Sequence, residues 1–176
     1  VFTCGEEAAQ WLAGEKLAPS AILQRNSIDT QVYAYQETNR TNIRKALHLP
    51  TDAIVIGHVG RFNKQKNHAF LIDIFHAFVQ KHPHAHLVLV GVGELMEETQ
   101  KKVQKLQLNH QVHFLGIRSD VPSLLHAMDL FLFPSFMEGL SVSMVEAQCA
   151  GLPCVVSDTI PTEVSMTDLV SFLSLK

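Results

Sequence analysis

Two glutamates stand eight positions apart in the segment 133–158, FPSFMEGLSVSMVEAQCAGLPCVVSD. Glu138 precedes Gly139 in a loop-like stretch, whereas Glu146 lies in an otherwise apolar helical stretch. A carboxylate among apolar residues is costly to bury without a partner, and vicinal hydroxyls of a ligand are a good partner. Alternatively, Glu138 stabilises a helix N-terminus and Glu146 reaches a lysine or solvent. Glycosidases also use two acids, but chain spacing does not define their separation in space.

A second segment, Gly60–Asn67 (GRFNKQKN), concentrates positive charge between a predicted strand and a predicted helix. Arg61 and Lys66 are close enough in sequence that we expect both to point into one space at the helix N-terminus. The free N–H groups there favour an anion, and a guanidinium and an ammonium suit phosphate oxygens. The Gly-Lys-Ser/Thr ending of a P-loop is absent. The segment therefore indicates phosphate binding, with a basic solvated turn as the alternative.

Two further loops follow predicted strands. Gly91 and Gly93, in GVGE, lack the third glycine of a dinucleotide fingerprint, so they give little support to NAD binding. They form a tight turn or let a ligand approach the backbone closely. In LGIRSD, Ile117 and Arg118 could lie beside a flat base, and the Ser-Asp pair after them is expected to cap a helix.

Apolar runs that end at glycine or proline alternate with stretches of helical periodicity. Such alternation with nearly continuous apolar strands predicts a parallel sheet covered on both faces, an α/β, doubly wound, Rossmann-like fold. The predicted strands are 21–24, 54–59, 86–90, 112–115, 130–133, 154–156 and 169–173. The predicted helices are 6–14, 38–47, 67–81, 94–108, 121–127 and 140–150, with Asn67 as an N-cap.

Ligands of an open parallel sheet bind outside the carboxyl ends of its strands. The four loops 60–66, 91–94, 116–120 and 134–140 must then lie side by side on one rim. The charged residues expected on this rim are Arg61, Lys64, Lys66, Glu94, Arg118 and Glu138.

Composition excludes several classes of protein. The 176 residues carry a formal net charge of −3, which argues against a nucleic-acid partner. The three cysteines form no disulfide framework, which favours the cytoplasm. No apolar run is long enough to span a membrane, and no signal peptide is recognisable. Because the sequence opens without methionine, we expect a piece of a longer protein.

Histidines alternate at His82, His84 and His86, which would place them on one face of an extended chain. Pro83 interrupts this pattern, and the residues enter their strand at the end away from the rim. We therefore expect no zinc site.

The motifs in combination resemble the retaining glycosyltransferases of family 4, and the resemblance covers nearly the whole chain. It implies the C-terminal, nucleotide-sugar-binding half of a GT-B enzyme, similar to bacterial capsular or exopolysaccharide transferases. Ser27 stands where the family usually has glycine. The matching residues are Arg25-Asn26-Ser27-Ile28-Asp29, Gly60-Arg61-Phe62, Lys66-Asn67, Phe133-Pro134-Ser135, Glu138-x7-Glu146-Ala147 and Gly151-x-Pro153-x-Val155.

The resemblance implies a role for each site residue. Arg61 and Lys66 would hold the donor diphosphate and stabilise the leaving nucleotide, so no metal and no cofactor is implied. Glu138 would contact the transferred sugar, and Glu146 would accept ribose hydroxyls. The other implied contacts are Gly60, Gly91 and Gly93 at the cleft wall, Ile117 and Arg118 near the base, and the backbone of Gly139, Leu140 and Ser141.

The implied reaction is transfer of a hexose, with retention, from a nucleotide sugar to a polysaccharide or lipid-linked acceptor, with a UDP-sugar as the expected donor. Residues 1–176 would form the donor domain, with 1–50 leading into it. The acceptor-binding N-terminal domain would lie outside this chain, so the fragment alone is expected to be inactive. The parent enzyme would be peripheral to the inner face of the cell membrane. A nucleotide-sugar binding module without turnover and a nucleotide-sugar epimerase are the alternatives.

Overall fold

A computed structural model of the protein describes residues 2–175, the side chain of Glu7 excepted. The strands are β1 Phe2–Thr3, β2 Ile22–Leu23, β3 Val55–Val59, β4 His86–Val90, β5 Val112–Phe114, β6 Leu130–Phe133, β7 Cys154–Ser157 and β8 Val170–Leu173. The α-helices are α1 Glu6–Leu17, α2 Thr30–Tyr33, α3 Glu37–Ala46, α4 His68–Val79, α5 Met96–Lys105, α6 Val121–Ala127 and α7 Val142–Cys149. Single 3-10 turns follow α1 and β7.

Six strands form one sheet in the order β5-β4-β3-β6-β7-β8, and every neighbouring pair is parallel. Successive residues of its strands enter different cores: Leu87 and Leu89 of β4 pack on one face, and Val88 and Val90 on the other. Helices cover both faces because both are apolar. The predicted α/β, doubly wound, Rossmann-like fold is confirmed.

The predicted elements recur with shifted ends. The helix predicted at 140–150 begins only at Val142, and the one predicted at 6–14 runs on to Leu17 across a kink at Gly14, where φ is 69°. Asp120 is the N-cap residue of α6, but its carboxylate does not cap the helix because it pairs with Arg118 instead. β1 and α2 were not predicted, and β1 pairs with β2 in a separate parallel ribbon.

Helix α3 is attached to the sheet by a buried arginine. Arg44, 4% exposed, donates to the carbonyls of Ala127, Thr51 and Ala53, and its Nη2 lies 2.7 Å from Asp129 Oδ2. Asp129 also contacts the guanidinium of Arg40 at 2.6 Å and accepts from the amide of Val55. This carboxylate therefore joins α3 to the starts of β3 and β6.

We expect Asp129→Ala to lower the free energy of unfolding by about 3 kcal/mol, since it leaves the buried Arg44 charge without its counterion. Asp73→Ala is the matched control, because it breaks an exposed ion pair with Lys102 and should cost less than about 1 kcal/mol. Urea unfolding of both variants measures the difference. Equal losses would show that the Asp129 network does not hold α3 to the sheet.

Candidate functional site

The chain reverses its direction of winding between β3 and β6. These strands are neighbours in the sheet, yet the chain leaves β3 towards β4 and leaves β6 towards β7. Their carboxyl-end loops, residues 60–67 and 134–141, therefore meet at the topological switch point, where open α/β sheets bind ligands. We call these loops the basic loop and the acidic loop.

Hydrogen bonds join the basic loop to the acidic loop. Phe136 N donates to Gln65 O at 2.9 Å, and Gln65 Nε2 donates to Met137 O at 2.8 Å. Asn67 is the N-cap residue of α4, but it is left-handed, with φ of 53°, and its side chain makes no capping bond. Its amide donates to Pro134 O at 3.2 Å instead. The predicted cap thus serves to connect the two loops.

Lys66 and Glu138 form a nearly buried ion pair between the loops. Lys66 Nζ lies 2.9 Å from Glu138 Oε1, and the side chains are only 13% and 7% exposed. The ammonium also lies 4.4 Å from the centre of the Phe133 ring. Glu138 Oε1 has no partner with hydrogen-bond geometry among the described residues. The structure therefore brings these two predicted site residues together as an ion pair whose geometry is not that of a hydrogen bond.

Arg61 and Lys66 do not point into one space, contrary to expectation. Arg61, 73% exposed, turns towards Glu94 in the loop after β4, at 3.7 Å, whereas Lys66 turns to the loop after β6. Because β4 and β6 flank β3 on opposite sides, the nearest acid draws each cation in a different direction. The Arg61 pair is long and exposed, so it contributes at most about 1 kcal/mol.

Gly91 and Gly93 allow the loop after β4 to pack on the basic loop. A Cβ at Gly91 would lie 2.1 Å from Gly60 O, and one at Gly93 would lie 2.3 Å from Phe62 O. Amides of Gly60 and Phe62 donate back to that neighbouring strand and loop. These glycines thus have a packing role that needs no ligand, and their predicted contact with a ligand stays a prediction.

The acidic loop leads into α7 with its first turn open. Ser141 is the N-cap residue, but its hydroxyl contacts Ser143 Oγ at 3.1 Å and does not cap the helix. Leu140 is buried, and its carbonyl accepts from Asn26 Nδ2 at 2.9 Å. The backbone N–H groups that follow Gly139 are therefore free of a side-chain cap, as an anion site requires.

Glu146 has a protein partner that the sequence did not indicate. The hydroxyl of Tyr33 donates to its Oε1 at 2.5 Å, so neither a lysine nor solvent alone satisfies this acid. Burial, and then this bond, raise the pKa of Tyr33 to about 12. The position of Tyr33, four residues after Asp29 of the Arg25–Asp29 motif, was the only available signal.

Ile117 and Arg118 lie on the loop after β5, at the far end of the rim. Ile117 is 81% exposed, and Arg118 pairs with Asp120 at 2.6 Å. The bond from Gly91 N to Gly116 O connects this loop to the next one. The four predicted loops thus share one rim, on which Arg61, Lys66 and Arg118 each pair with an acid.

A cleft of about 1170 Å³ opens in front of the acidic loop. One wall is α1, with the exposed side chains of Trp11 and Leu12, and the other includes Lys64, Phe136 and Glu138. Its volume exceeds the 300–1,000 Å³ typical of small-molecule sites.

Two buried histidines that sequence reasoning missed underlie the basic loop. His58 Nδ1 lies 2.8 Å from Leu132 O, and the His58 ring meets His68 edge-on at 4.8 Å. His68 in turn stacks on Phe62 at 3.9 Å. Burial lowers the pKa of His68 to about 4 and that of His58 well below its usual range. Both rings are therefore neutral supports of the loop at neutral pH.

Residues 2–175 contain no group of three or more side chains placed to hold a metal ion. His86 and His113 do meet, at 3.0 Å, but His82 and His84 are exposed and join no cluster. Nor is any described helix both long and apolar enough to cross a membrane.

The family described as Glycosyl transferases group 1 matches residues 39–170, which is most of the chain. The chain belongs to this family. Similar relatives include EpsF of Bacillus subtilis, named as a glycosyltransferase, at 36% identity over 98% of this chain and 46% of EpsF. An Escherichia coli relative, named UDP-Gal:alpha-D-GlcNAc-diphosphoundecaprenol alpha-1,3-galactosyltransferase, is 34% identical over 76% of this chain and 35% of its own. The 176-residue chain thus spans about half the length of EpsF.

Solved structures place the fold as one half of a GT-B glycosyltransferase. Anabaena HepE in complex with UDP-glucose superposes with a TM-score of 0.79 at 27% identity, over 90% of this chain and 44% of HepE. WaaG, a glycosyltransferase involved in lipopolysaccharide biosynthesis, superposes with a TM-score of 0.84 at 18% identity, over 99% of this chain and 49% of WaaG.

We expect His68→Phe to make the protein less sensitive to acid. Between pH 6.5 and about 4 the unfolded chain binds a proton at this residue that the folded chain does not. The wild-type free energy of unfolding therefore falls as the pH is lowered through this range, and the titration of His68 accounts for about 3 kcal/mol of the decrease. Phenylalanine keeps the stacking on Phe62 and removes the titration. Urea unfolding at several pH values measures the change in slope.

His110→Phe, at an exposed position, is the control for this variant and should retain the wild-type pH dependence. An unchanged slope in H68F would contradict the assigned role of His68. We expect H68F to retain a smaller pH dependence of the free energy of unfolding, because His58 is still present.

Proposed function

We propose that this chain is the donor-binding half of a retaining hexosyltransferase and that it binds a nucleotide-diphosphate sugar, with a UDP-sugar as the expected donor. The observation that carries the proposal is the buried Lys66–Glu138 pair at the switch point. It presents a cation for phosphate and an acceptor for sugar hydroxyls side by side. A buried ion pair is weak evidence for a stabilising role, so a ligand role is the better explanation.

The positive groups would stabilise the leaving nucleotide diphosphate. Lys66 is already held in position, and Arg61 can exchange its long, exposed contact with Glu94 for phosphate oxygens at little cost. The open first turn of α7 adds N–H donors. One preorganised contact to developing negative charge is worth about 3 kcal/mol of transition-state stabilisation. These groups would do the work of a metal ion, so we propose metal-independent transfer.

The two acids would bind two different sets of hydroxyls. Glu138 would contact the transferred sugar, since its Oε1 meets only the Lys66 ammonium among the described residues, at 2.9 Å and outside hydrogen-bond geometry. Glu146 would accept hydrogen bonds from the ribose hydroxyls. It lies four residues after Val142, the first residue of α7, and the N–H groups at the start of this helix would bind phosphate. Gly60, Gly91 and Gly93 would shape the wall of the donor site along the rim, and Ile117 and Arg118 would lie near the base.

The relatives support the donor and acceptor classes. HepE was solved with UDP and with UDP-glucose, and the name of the E. coli relative gives a UDP-galactose donor and a diphosphoundecaprenol-linked acceptor. We extend to this protein a UDP-sugar donor and a polysaccharide or lipid-linked acceptor, with a cytoplasmic parent enzyme peripheral to the inner membrane face. The acceptor would be held by an N-terminal domain outside this chain.

Titration of the chain with UDP, GDP and ADP, without metal, tests the donor site by calorimetry and melting temperature. We expect UDP to bind, and Arg61→Ala and Glu146→Ala each to weaken it about tenfold or more, since a hydrogen bond to a charged group is worth about 1.5–3 kcal/mol. Arg61 is exposed, so its variant should fold normally.

Lys64→Ala is the control, because it removes an exposed positive charge from the same loop. It should weaken binding less than Arg61→Ala does. If no nucleotide binds at millimolar concentration, the donor-site proposal is wrong. Binding that survives R61A and E146A would reject the residue assignments.

Retention is tested by proton NMR of the product made by the parent enzyme, where the anomeric coupling should match that of the donor. Inverted configuration would overturn this part of the proposal. The 176-residue chain alone should bind donor and transfer no sugar, because domain closure completes such sites. Sugar transfer by this chain alone would contradict the expected inactivity of the fragment. Formation of an epimerised nucleotide sugar would favour a nucleotide-sugar epimerase.

A further inference from the structure

Tyr33 joins the short helix α2 to the candidate ribose-binding acid. Its hydroxyl donates to Glu146 Oε1 at 2.5 Å, and both residues are half-buried. The two residues are 113 positions apart in the chain, so the tertiary fold creates this contact. No other hydrogen bond to the Glu146 carboxylate occurs among the described side chains and backbone, so Oε2 has no protein donor there.

The backbone around Tyr33 is held independently of Glu146. His126, 1% exposed, donates from Nε2 to Tyr33 O at 3.1 Å and accepts at Nδ1 from Asn39 Nδ2 at 3.3 Å. Because Asn39 donates to Nδ1, the proton of a neutral His126 ring must lie on Nε2. Tyr33 O therefore receives a bond from a residue that is itself oriented.

The rest of α2 is attached to the same helix as Glu146. Asp29 caps α2 by accepting from Gln31 N at 3.0 Å. Cys149, one turn beyond Glu146 in α7, contacts Thr30 O through its sulfur at 3.6 Å. α2 thus runs along the half-exposed face of α7, and the Tyr33 ring is delivered to the Glu146 carboxylate.

We infer that Tyr33 is a positioning residue that holds the Glu146 carboxylate with one oxygen available to the ribose hydroxyls of the donor nucleotide. This inference rests on the proposed function. A glutamate side chain has several rotatable bonds, and ordering it before the ligand arrives removes part of the entropy cost of binding. The raised pKa of Tyr33, about 12, keeps the phenol protonated as a donor.

The test compares UDP with 2′,3′-dideoxy-UDP, which lacks both ribose hydroxyls, by calorimetry on the 176-residue chain. We expect the wild type to bind UDP at least tenfold more tightly than 2′,3′-dideoxy-UDP. Tyr33→Phe should weaken UDP binding about fivefold and leave dideoxy-UDP binding unchanged, so the preference for UDP falls. Glu146→Ala should abolish this preference, and adding Tyr33→Phe to Glu146→Ala should change nothing more.

Tyr35→Phe is the matched control, since the Tyr35 hydroxyl bonds to Glu37 on the exposed side of the same segment. It should leave both affinities at the wild-type value. Melting curves confirm that each variant folds.

If Y33F weakens the binding of UDP and of 2′,3′-dideoxy-UDP equally, Tyr33 has only a structural role. Tighter UDP binding by Y33F would mean that Tyr33 competes with the ribose, and unchanged affinities would mean that it does nothing for Glu146. Each of these results overturns the inference and leaves the donor site standing. A wild type that fails to bind UDP, or that binds both ligands equally, rejects the proposed function of the site itself.

Discussion

The geometry of this protein follows from one constraint on parallel sheets: every strand has its carboxyl end at the same edge, so loops that follow neighbouring strands must meet there. Here the chain reverses its direction of winding between β3 and β6. Two loops that are about seventy residues apart in sequence must therefore share one crevice, the position at which open α/β sheets bind ligands. The meeting of the basic loop with the acidic loop is a consequence of that reversal.

Within this frame, the site combines charges that are held to different degrees. Lys66 and Glu138 are nearly buried and fixed between hydrogen-bonded loops. Arg61 is exposed and loosely paired. A polar ligand would meet one cation already in place and a second that can move to it. Buried neutral histidines under the basic loop support this arrangement without adding charge, because burial disfavours their protonated, charged form.

The segment before the main sheet positions the site from behind. Asn26 bonds to Leu140 at the start of α7, Tyr33 bonds to Glu146 inside it, and Arg44 binds Asp129 at the start of β6. These contacts explain why residues 25–46 belong to the functional unit, even though they contribute no strand to the six-stranded sheet. Each is a polar contact to a partner far along the chain, and each is at least partly shielded from water.

The sequence was enough to predict the alternation of strands and helices, the parallel sheet, the shared rim and the charged residues of its loops. Hydrophobic periodicity and glycine-terminated strands are local signals, and the rim follows from them by geometry. The three-dimensional structure was needed to show that Asn67 bridges two loops and that Arg61 and Lys66 point in different directions. It also revealed the contacts of Tyr33 with Glu146, of His68 with Phe62 and of Asp129 with Arg44. The partners of Tyr33 and Asp129 lie 74 to 113 residues away. Which side chains meet over such separations depends on packing that no local pattern encodes.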